Sequence, residues 1–302
     1  AMQYRVLGKL EVSRDGVAVD VGGYRQKSLL AFLLLEPNKI VSTDQIIDAL
    51  WGEEAGSDKQ NALWVHISAV RKALEPAREK RSEGSILLTR APGYLLQVDP
   101  QDVDALQFEE MAAEGRALAD TYPAAAAMGL GEAWALWRGH AYEDFMYEAF
   151  ASAEIARLEE LRLETVEARI DADLRRGMAG DLVSELESLI RQYPLRERFT
   201  GQAMLALYRS GRQAEALRSY HKAKGHLIEE TGLDPSPGLR DLERFRQLGI
   251  AVALDVTQDQ RQPWRRIQSV EQPQHERQRQ PALLIRSRGE TARNAGQRRA
   301  RP

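Results

Sequence analysis

Hydrophobic positions along the first hundred residues change their spacing three times. Tyr4, Val6, Leu10 and Val12 stand in near-alternation, and Val17, Val19 and Val21 resume it after Asp15-Gly16. Alternation across a hairpin-turn dipeptide is the pattern of short strands with one buried face. Gly22-Gly23 breaks it, and Leu29, Leu30, Phe32, Leu33 and Leu34 then predict a helix over 24–36 that Pro37 stops. Ser42 and Gln45 have capping-box spacing and open a short helix with Ile46, Ile47, Leu50 and Trp51, ended by Gly52. Ser57 and Gln60 repeat the box ahead of a third helix that runs to about Leu74, before Pro76. Residues 85–98 are apolar and rich in β-formers on both sides of Ala91-Pro92-Gly93, which predicts a hairpin. Strands, three helices and a hairpin, in that order, make a winged helix-turn-helix with a small sheet in front.

After Pro100 the pattern changes. Helix formers dominate as far as Leu254, alanine is abundant, and strand-like alternation is almost gone. Gly177-Met178-Ala179-Gly180-Asp181-Leu182 and Gly211-Arg212-Gln213-Ala214-Glu215-Ala216 are offset by 34 residues, and each precedes an amphipathic stretch. That is the tetratricopeptide period, one helix–turn–helix per repeat. It covers only two units, and two unrelated helix hairpins would look the same. From Thr257 the periodicity is lost in a stretch rich in Gln and Arg and devoid of Lys, the composition of a disordered segment. The predicted protein is mainly α: a winged helix-turn-helix over 1–98, an all-helical tetratricopeptide-like domain over 99–255 and a basic disordered tail over 256–302.

Composition narrows the function classes. A hydrophobic fraction of 43% and a charged fraction of 29% are ordinary for globular domains and leave enough apolar material for two cores. No apolar run reaches the length of a membrane-spanning helix, the first ten residues lack a signal-peptide pattern, and the absence of cysteine excludes disulfides and thiolate metal sites. A cytoplasmic location without membrane contact is the expectation. The net charge of −3 hides an uneven distribution: residues 1–100 are neutral, 101–255 carry −10 and 256–302 carry +7. DNA is therefore suggested by local pattern, not by global charge. No phosphate-binding loop of the G-x-x-x-x-G-K-[ST] type, no H-E-x-x-H zinc helix and no G-x-S-x-G nucleophile turn occurs. His221 and His226, five apart, do not stack on a helix, so no metal or cofactor is expected, and no catalysis. No receiver domain is expected either, because nothing precedes the winged helix in the sequence.

The third helix carries the most informative residues. At about 100° per residue, Leu63, Ile67, Val70 and Leu74 form one apolar stripe. The opposite face holds Asn61, Trp64, Val65, Ser68 and Lys72, with Arg71 on its flank. Asn can bond adenine through two hydrogen bonds, Ser can meet bases or phosphates, and Arg and Lys reach guanine edges or phosphates. An ordinary solvated face carries similar polar residues, but an exposed Trp64 needs a partner. In the hairpin, Arg90 and Tyr94 flank the turn, where a cation and a phenol reach phosphates or the minor groove; Tyr94 fits equally as a ring packed on the core. Arg25 and Lys27 open the first helix, where free N–H groups and the helix dipole favour an anion. They read either as phosphate clamps or as solvated charges.

These stretches resemble a known family. Gly22-Gly23-Tyr24-Arg25-Gln26-Lys27-Ser28-Leu29-Leu30, Ile46-Ile47-Asp48-Ala49-Leu50-Trp51-Gly52 and Val65-His66-Ile67-Ser68-Ala69-Val70-Arg71-Lys72-Ala73-Leu74 are similar to the Streptomyces antibiotic regulatory proteins. In the helical half, Trp134-Ala135-Leu136-Trp137-Arg138-Gly139, Arg157-Leu158-Glu159-Glu160-Leu161-Arg162, Tyr193-Pro194-Leu195-Arg196-Glu197-Arg198 and Gly232-Leu233-Asp234-Pro235-Ser236-Pro237 resemble that family's bacterial transcriptional activation domain. The likeness runs from about residue 3 to 250. It implies a winged helix of the response-regulator output type, with the third helix in the major groove and wing residues Arg90 and Tyr94 on the backbone or minor groove. Trp51 matches a tryptophan whose indole N–H bonds a phosphate, though it also reads as core. His66 matches a helix-three histidine near the backbone, though the wheel puts it at the core edge. Ala69 departs from the family, which commonly has Arg there. The base contact expected at that position cannot be made, so the resemblance does not carry the identity of the bound sequence.

The implied function is a transcription activator without catalysis. Its implied partners are double-stranded DNA at promoter direct repeats, a second protomer beside it and RNA polymerase holoenzyme, with secondary-metabolite gene clusters as targets. The alternative is an interaction protein that binds no DNA, its helical half sensing a ligand or scaffolding partners. The tail reads as a set of non-specific phosphate contacts, as the start of a linker, or as a segment without function.

Overall fold

The computed structural model describes residues 1–52, 58–77 and 85–247. Ser57, with the capping box expected there, and the tail expected to be disordered over 256–302 lie outside the described residues. The chain opens with an antiparallel sheet of β1 (Met2–Arg5), β2 (Glu11–Arg14) and β3 (Val17–Ala18), in which Tyr4 stands opposite Val12. The β2–β3 turn is tight because Asp15 and Gly16 both take positive φ, 49° and 82°, as the primed hairpin turns require.

The winged-helix elements follow in the expected order: α1 (Tyr24–Leu35), α2 (Thr43–Trp51), α3 (Lys59–Leu74), β5 (Leu87–Arg90) and β6 (Gly93–Leu96). A further strand between α1 and α2, β4 (Ile40–Ser42), pairs with β6, so that β6 lies between β4 and β5. At three residues β4 is too short to leave an alternation signal of its own. The Ser42–Gln45 capping box is formed in both directions. Helix α3 starts behind Asp58 with no side-chain cap among the described residues.

Among the described residues the second half is built of α4 (Asp104–Leu118), α5 (Pro123–Ala135), α6 (Ala149–Arg175), α7 (Ala179–Gln192), α8 (Glu197–Arg209), α9 (Gln213–Thr231) and α10 (Pro237–Gln247). The two stretches offset by 34 residues are the turns between α6 and α7 and between α8 and α9. Gly177 and Gly211 hold left-handed φ of 83° and 75° there, which explains why glycine recurs at that period.

The buried core divides in the middle of α6 rather than between the two halves. One apolar cluster joins Tyr4, Leu30, Leu33, Ile67 and Leu87 to Phe108, Trp137, Phe145 and Leu158, and a second gathers Val166, Ile170 and Leu174 with α7, α8 and Tyr220 of α9. Helix α6 (27 residues) therefore belongs to both. Arg196 and Arg198 fasten α8 to its second half: Arg196 pairs with Glu167 at 2.5 Å and Glu160 at 2.8 Å, and Arg198 with Asp171 at 2.5 Å. Arg162 lies 4.8 and 4.5 Å from the Trp134 and Trp137 rings, two cation–π contacts that tie α6 to the end of α5 and the residues after it.

The two halves meet around residues 6–10. The Asp104 carboxylate, at the start of α4, accepts the N–H groups of Val6 (2.7 Å) and Leu7 (3.1 Å). In the other direction Arg138 and Tyr142 donate their N–H groups to the carbonyls of Leu7 (2.8 Å) and Val6 (2.7 Å), and Leu10 donates to Asp144 (2.9 Å). Phe32 of α1 meets Phe150 of α6 edge-on at 5.5 Å. Burial raises the Asp104 pKa, against the pull of its hydrogen bonds and of Arg138 at 3.6 Å.

Replacing Asp104 with Ala strands two buried N–H groups, each worth about 1–3 kcal/mol when unpaired. The variant is expected to lose about 2–5 kcal/mol of unfolding free energy, measured by urea denaturation followed through tryptophan fluorescence. A loss under about 0.5 kcal/mol, the range of neutral surface changes, would remove Asp104 from the junction.

Candidate nucleic-acid interface

Helix α3 divides into two faces as its sequence requires. Leu63, Ile67, Val70 and Leu74 are buried, while Asn61, Trp64, Val65, Ser68 and Lys72 are exposed. Trp64 and Val65 keep 66% and 56% of their surface in water, and α3 contains no acidic residue. Its outward face is therefore polar to cationic, with two large apolar side chains set into it. Ala69 sits partly buried at the edge of that face.

The wing is held against α3 by an arginine. Arg71 donates from Nε to the Leu87 carbonyl (2.8 Å) and from Nη2 to Thr89 Oγ1 (2.7 Å), and its guanidinium lies 5.7 Å from the Tyr94 ring centroid. The sequence placed Arg71 on the flank of the outward face, and the fold has its side chain bracket helix and hairpin. Tyr94 is half-buried opposite Val41 and Thr89. Arg90 is exposed at the end of β5 and donates to the Thr89 carbonyl at 2.9 Å. Gly93 is where the wing crosses the α2 entry: a Cβ there would stand 1.9 Å from the Val41 carbonyl oxygen, a distance no side chain tolerates. Beside it the Thr43 N–H and hydroxyl donate to the Pro92 carbonyl at 3.3 and 3.2 Å.

A second group forms around Trp51, at the end of α2. Its half-buried indole faces the His66 ring at 6.0 Å and 29°, with the Arg25 guanidinium at 5.7 Å and the Lys59 ammonium at 5.9 Å. Arg25 also donates to the Leu50 carbonyl. His66 Nδ1 is buried without a hydrogen-bond partner, and burial, followed by the Arg25 charge, lowers the His66 pKa and keeps the ring neutral. Two cations thus lie close to an aromatic plate beside the first turn of α3, which has no side-chain cap among the described residues, a combination suited to a phosphate. Lys59 escaped the sequence reading because its wheel angle places it toward the core; only the end of the helix frees it. Lys27 is half-buried and lies roughly 200° round α1 from Arg25, so it does not share this cluster.

Among the described residues no group of His, Cys, Asp or Glu is arranged to hold a metal, and no helix is long and apolar enough to cross a membrane.

Comparison with known proteins bears on what this surface serves. Residues 23–96 match the family model described as the C-terminal part of transcriptional regulatory proteins, and residues 103–245 match the bacterial transcriptional activator domain. Regulatory protein DnrI of Streptomyces peucetius is 33% identical over 80% of this chain and 90% of its own length. Transcriptional regulator RedD of Streptomyces coelicolor is 35% identical over 79% of the chain and 68% of its own. Regulatory protein AfsR of Streptomyces coelicolor is 36% identical over 81% of the chain, which spans only 24% of that longer protein. Among solved structures, Mycobacterium tuberculosis EmbR in complex with a low-affinity phosphopeptide superposes with a TM-score of 0.78 at 29% identity, over 82% of this chain and 65% of EmbR. These relatives are regulators of transcription, not enzymes. With so much of DnrI covered at this identity, and with both halves of the chain matched in order, the protein belongs to the Streptomyces antibiotic regulatory protein family of transcriptional regulators.

Proposed function

We propose that the chain activates transcription by binding direct repeats upstream of a promoter, beside a second protomer, and recruiting RNA polymerase holoenzyme. The observation that carries this reading is the outward face of α3. It is free of acidic residues and exposes Asn61, Trp64, Val65, Ser68 and Lys72 together. A helix of that character fits the major groove, which is wide enough to admit it. In this assignment Asn61 and Ser68 meet base edges, Lys72 meets a phosphate, and the Arg25–Trp51–His66 cluster takes the backbone at the start of α3. Arg90 reaches the adjacent backbone or minor groove from the wing, while Arg71 and Tyr94 hold the wing in place. Lys27 contributes no more than long-range charge. Residues 1–98 supply the DNA contacts and 99–255 the contact with polymerase. The net charge of −10 over 101–255 and the successive packing of α7 on α8 and α8 on α9 suit docking of basic or helical segments of a partner.

Lys72→Ala and Arg25→Ala should each weaken binding to a cognate repeat and lower the dependence of log K on log salt by about one unit. Asn61→Ala should flatten discrimination between cognate and random duplex while changing the salt slope little. Mobility shifts over a salt series measure both, and unchanged slopes with unchanged discrimination would take α3 out of the interface.

Arg71→Ala separates bracket from contact. Amide exchange over β5 and β6 should quicken in that variant and stay at the wild-type rate in Lys72→Ala. If Arg71→Ala leaves the wing's exchange untouched, its two hydrogen bonds do not hold the hairpin.

The partition of labour is tested in the helical half. Tyr220, buried in the second core, lies far along the chain from α3, so Tyr220→Ala should loosen the α8–α9 pair and abolish run-off transcription while DNA binding persists. Normal activation by a variant whose α9 exchange has quickened would rule out recruitment through this stack.

A further inference from the structure

We infer that this protein reads thymine 5-methyl groups through an apolar pair, Trp64 and Val65, and that its repeats are specified mainly at A·T pairs. The inference rests on the DNA-binding role proposed above and sets what that site selects. Asn61, Trp64, Val65, Ser68 and Lys72 all fall within roughly 100° of arc on α3 at 3.6 residues per turn, and all are exposed. Recognition helices present their N-terminal residues to the base edges. In the first turns of α3 those residues are Asn61, Trp64 and Val65, which offer one amide and two apolar surfaces. Asn is the adenine reader, and an apolar side chain in the major groove meets the methyl that only thymine carries.

The usual reader of guanine is missing from this face. Arg71 is the only arginine in α3, and its guanidinium is turned onto the wing, at 2.8 Å from the Leu87 carbonyl and 2.7 Å from Thr89 Oγ1. Ala69, beside it, has no polar group to offer. Lys72 stands in the last turn, at the end away from the bases. What remains is apolar and large. Val65 and Trp64 keep more than half of their surface exposed, an arrangement that costs hydration in the free protein and is relieved when methyl groups cover it. The isopropyl group of Val65 and the ring face of Trp64 discriminate bases by that covering, since neither surface hydrogen-bonds a base edge.

The test starts with the full chain and a random-sequence duplex library, from which bound duplexes are enriched and sequenced. Each thymidine of the enriched site is then replaced by deoxyuridine, which deletes the 5-methyl and leaves every hydrogen-bonding group in place. Wild-type affinity is expected to fall about fourfold for each contacted methyl, at one or two positions per repeat. Val65→Ala or Trp64→Ala should bind the thymidine and deoxyuridine duplexes equally at its own position and keep the wild-type penalty at the other. Both side chains are exposed, so these variants keep the core intact, and the wild-type measurement needs no variant. Deoxyuridine without effect at every position, or variants that keep all the wild-type penalties, would overturn the methyl reading while leaving DNA binding in place. Failure of the library to enrich any sequence would overturn the DNA-binding role itself, and the inference with it.

Discussion

Four buried residues after β1, Val6, Leu7, Gly8 and Leu10, cannot satisfy their own backbone. Strand β1 ends at Arg5 and β2 begins at Glu11, and between them Val6 and Leu7 are fully buried with Leu10 nearly so. Buried peptide groups without partners are costly enough that native chains almost never keep them. Here the partners come from beyond residue 100: Asp104, Arg138, Tyr142 and Asp144, with Glu143 donating to the Gly8 carbonyl at 3.1 Å. The loop of one half is thus the ligand of the other, and the core that buries α3 is completed only when α4 and α6 are in place.

That dependence extends to the outward face of α3. A winged helix standing alone would have a small core and an exposed Phe32 and Leu7. In this chain the wing is bracketed to α3 by Arg71, α3 is packed on α1, and α1 is packed on α6 through Phe32 and Phe150. Tyr24, at the entrance of α1, adds a hydrogen bond to Glu148 and a ring contact with Phe145 at 5.8 Å. Orientation of the outward face is therefore set by contacts on both sides of residue 100, through the core shared with α4 and the first half of α6.

The sequence made some of this legible and hid the rest, for reasons that are physical. The apolar stripe Leu63, Ile67, Val70, Leu74 could be read because a helix repeats every 3.6 residues, and the Ser42–Gln45 box because capping is local. The motifs that carry the family resemblance in the helical half now have causes: Arg162 lies between two tryptophans, Arg196 and Arg198 reach acids on α6, and Ser236 donates its N–H to Glu197 at 2.8 Å. The hydrogen bonds of Arg71 to the wing were not legible because charge on a helix flank does not say where the guanidinium turns. Asp104 gave no signal at all, since an acid at a helix start is usually solvent-facing and its two partners lie almost a hundred residues away. Lys59 and β4 were missed because each depends on where an element ends, the feature that pattern locates least well.

Helix α6 also acts as a gauge. Its 27 residues extend about 40 Å at 1.5 Å per residue, slightly more than the roughly 34 Å that one turn of duplex advances. Because its first half is built into the core beneath α3 and its second half into the core of α7 to α9, the separation of those two bodies is a fixed length and a fixed twist. Inserting a single residue between Leu158 and Val166 would swing the far body by about 100° about the helix axis and would displace Leu161, Arg162 and Leu163 from the contacts they make along the rod. Exchanges that preserve residue count in this stretch leave that length and twist as they are, whereas any change of count alters both at once.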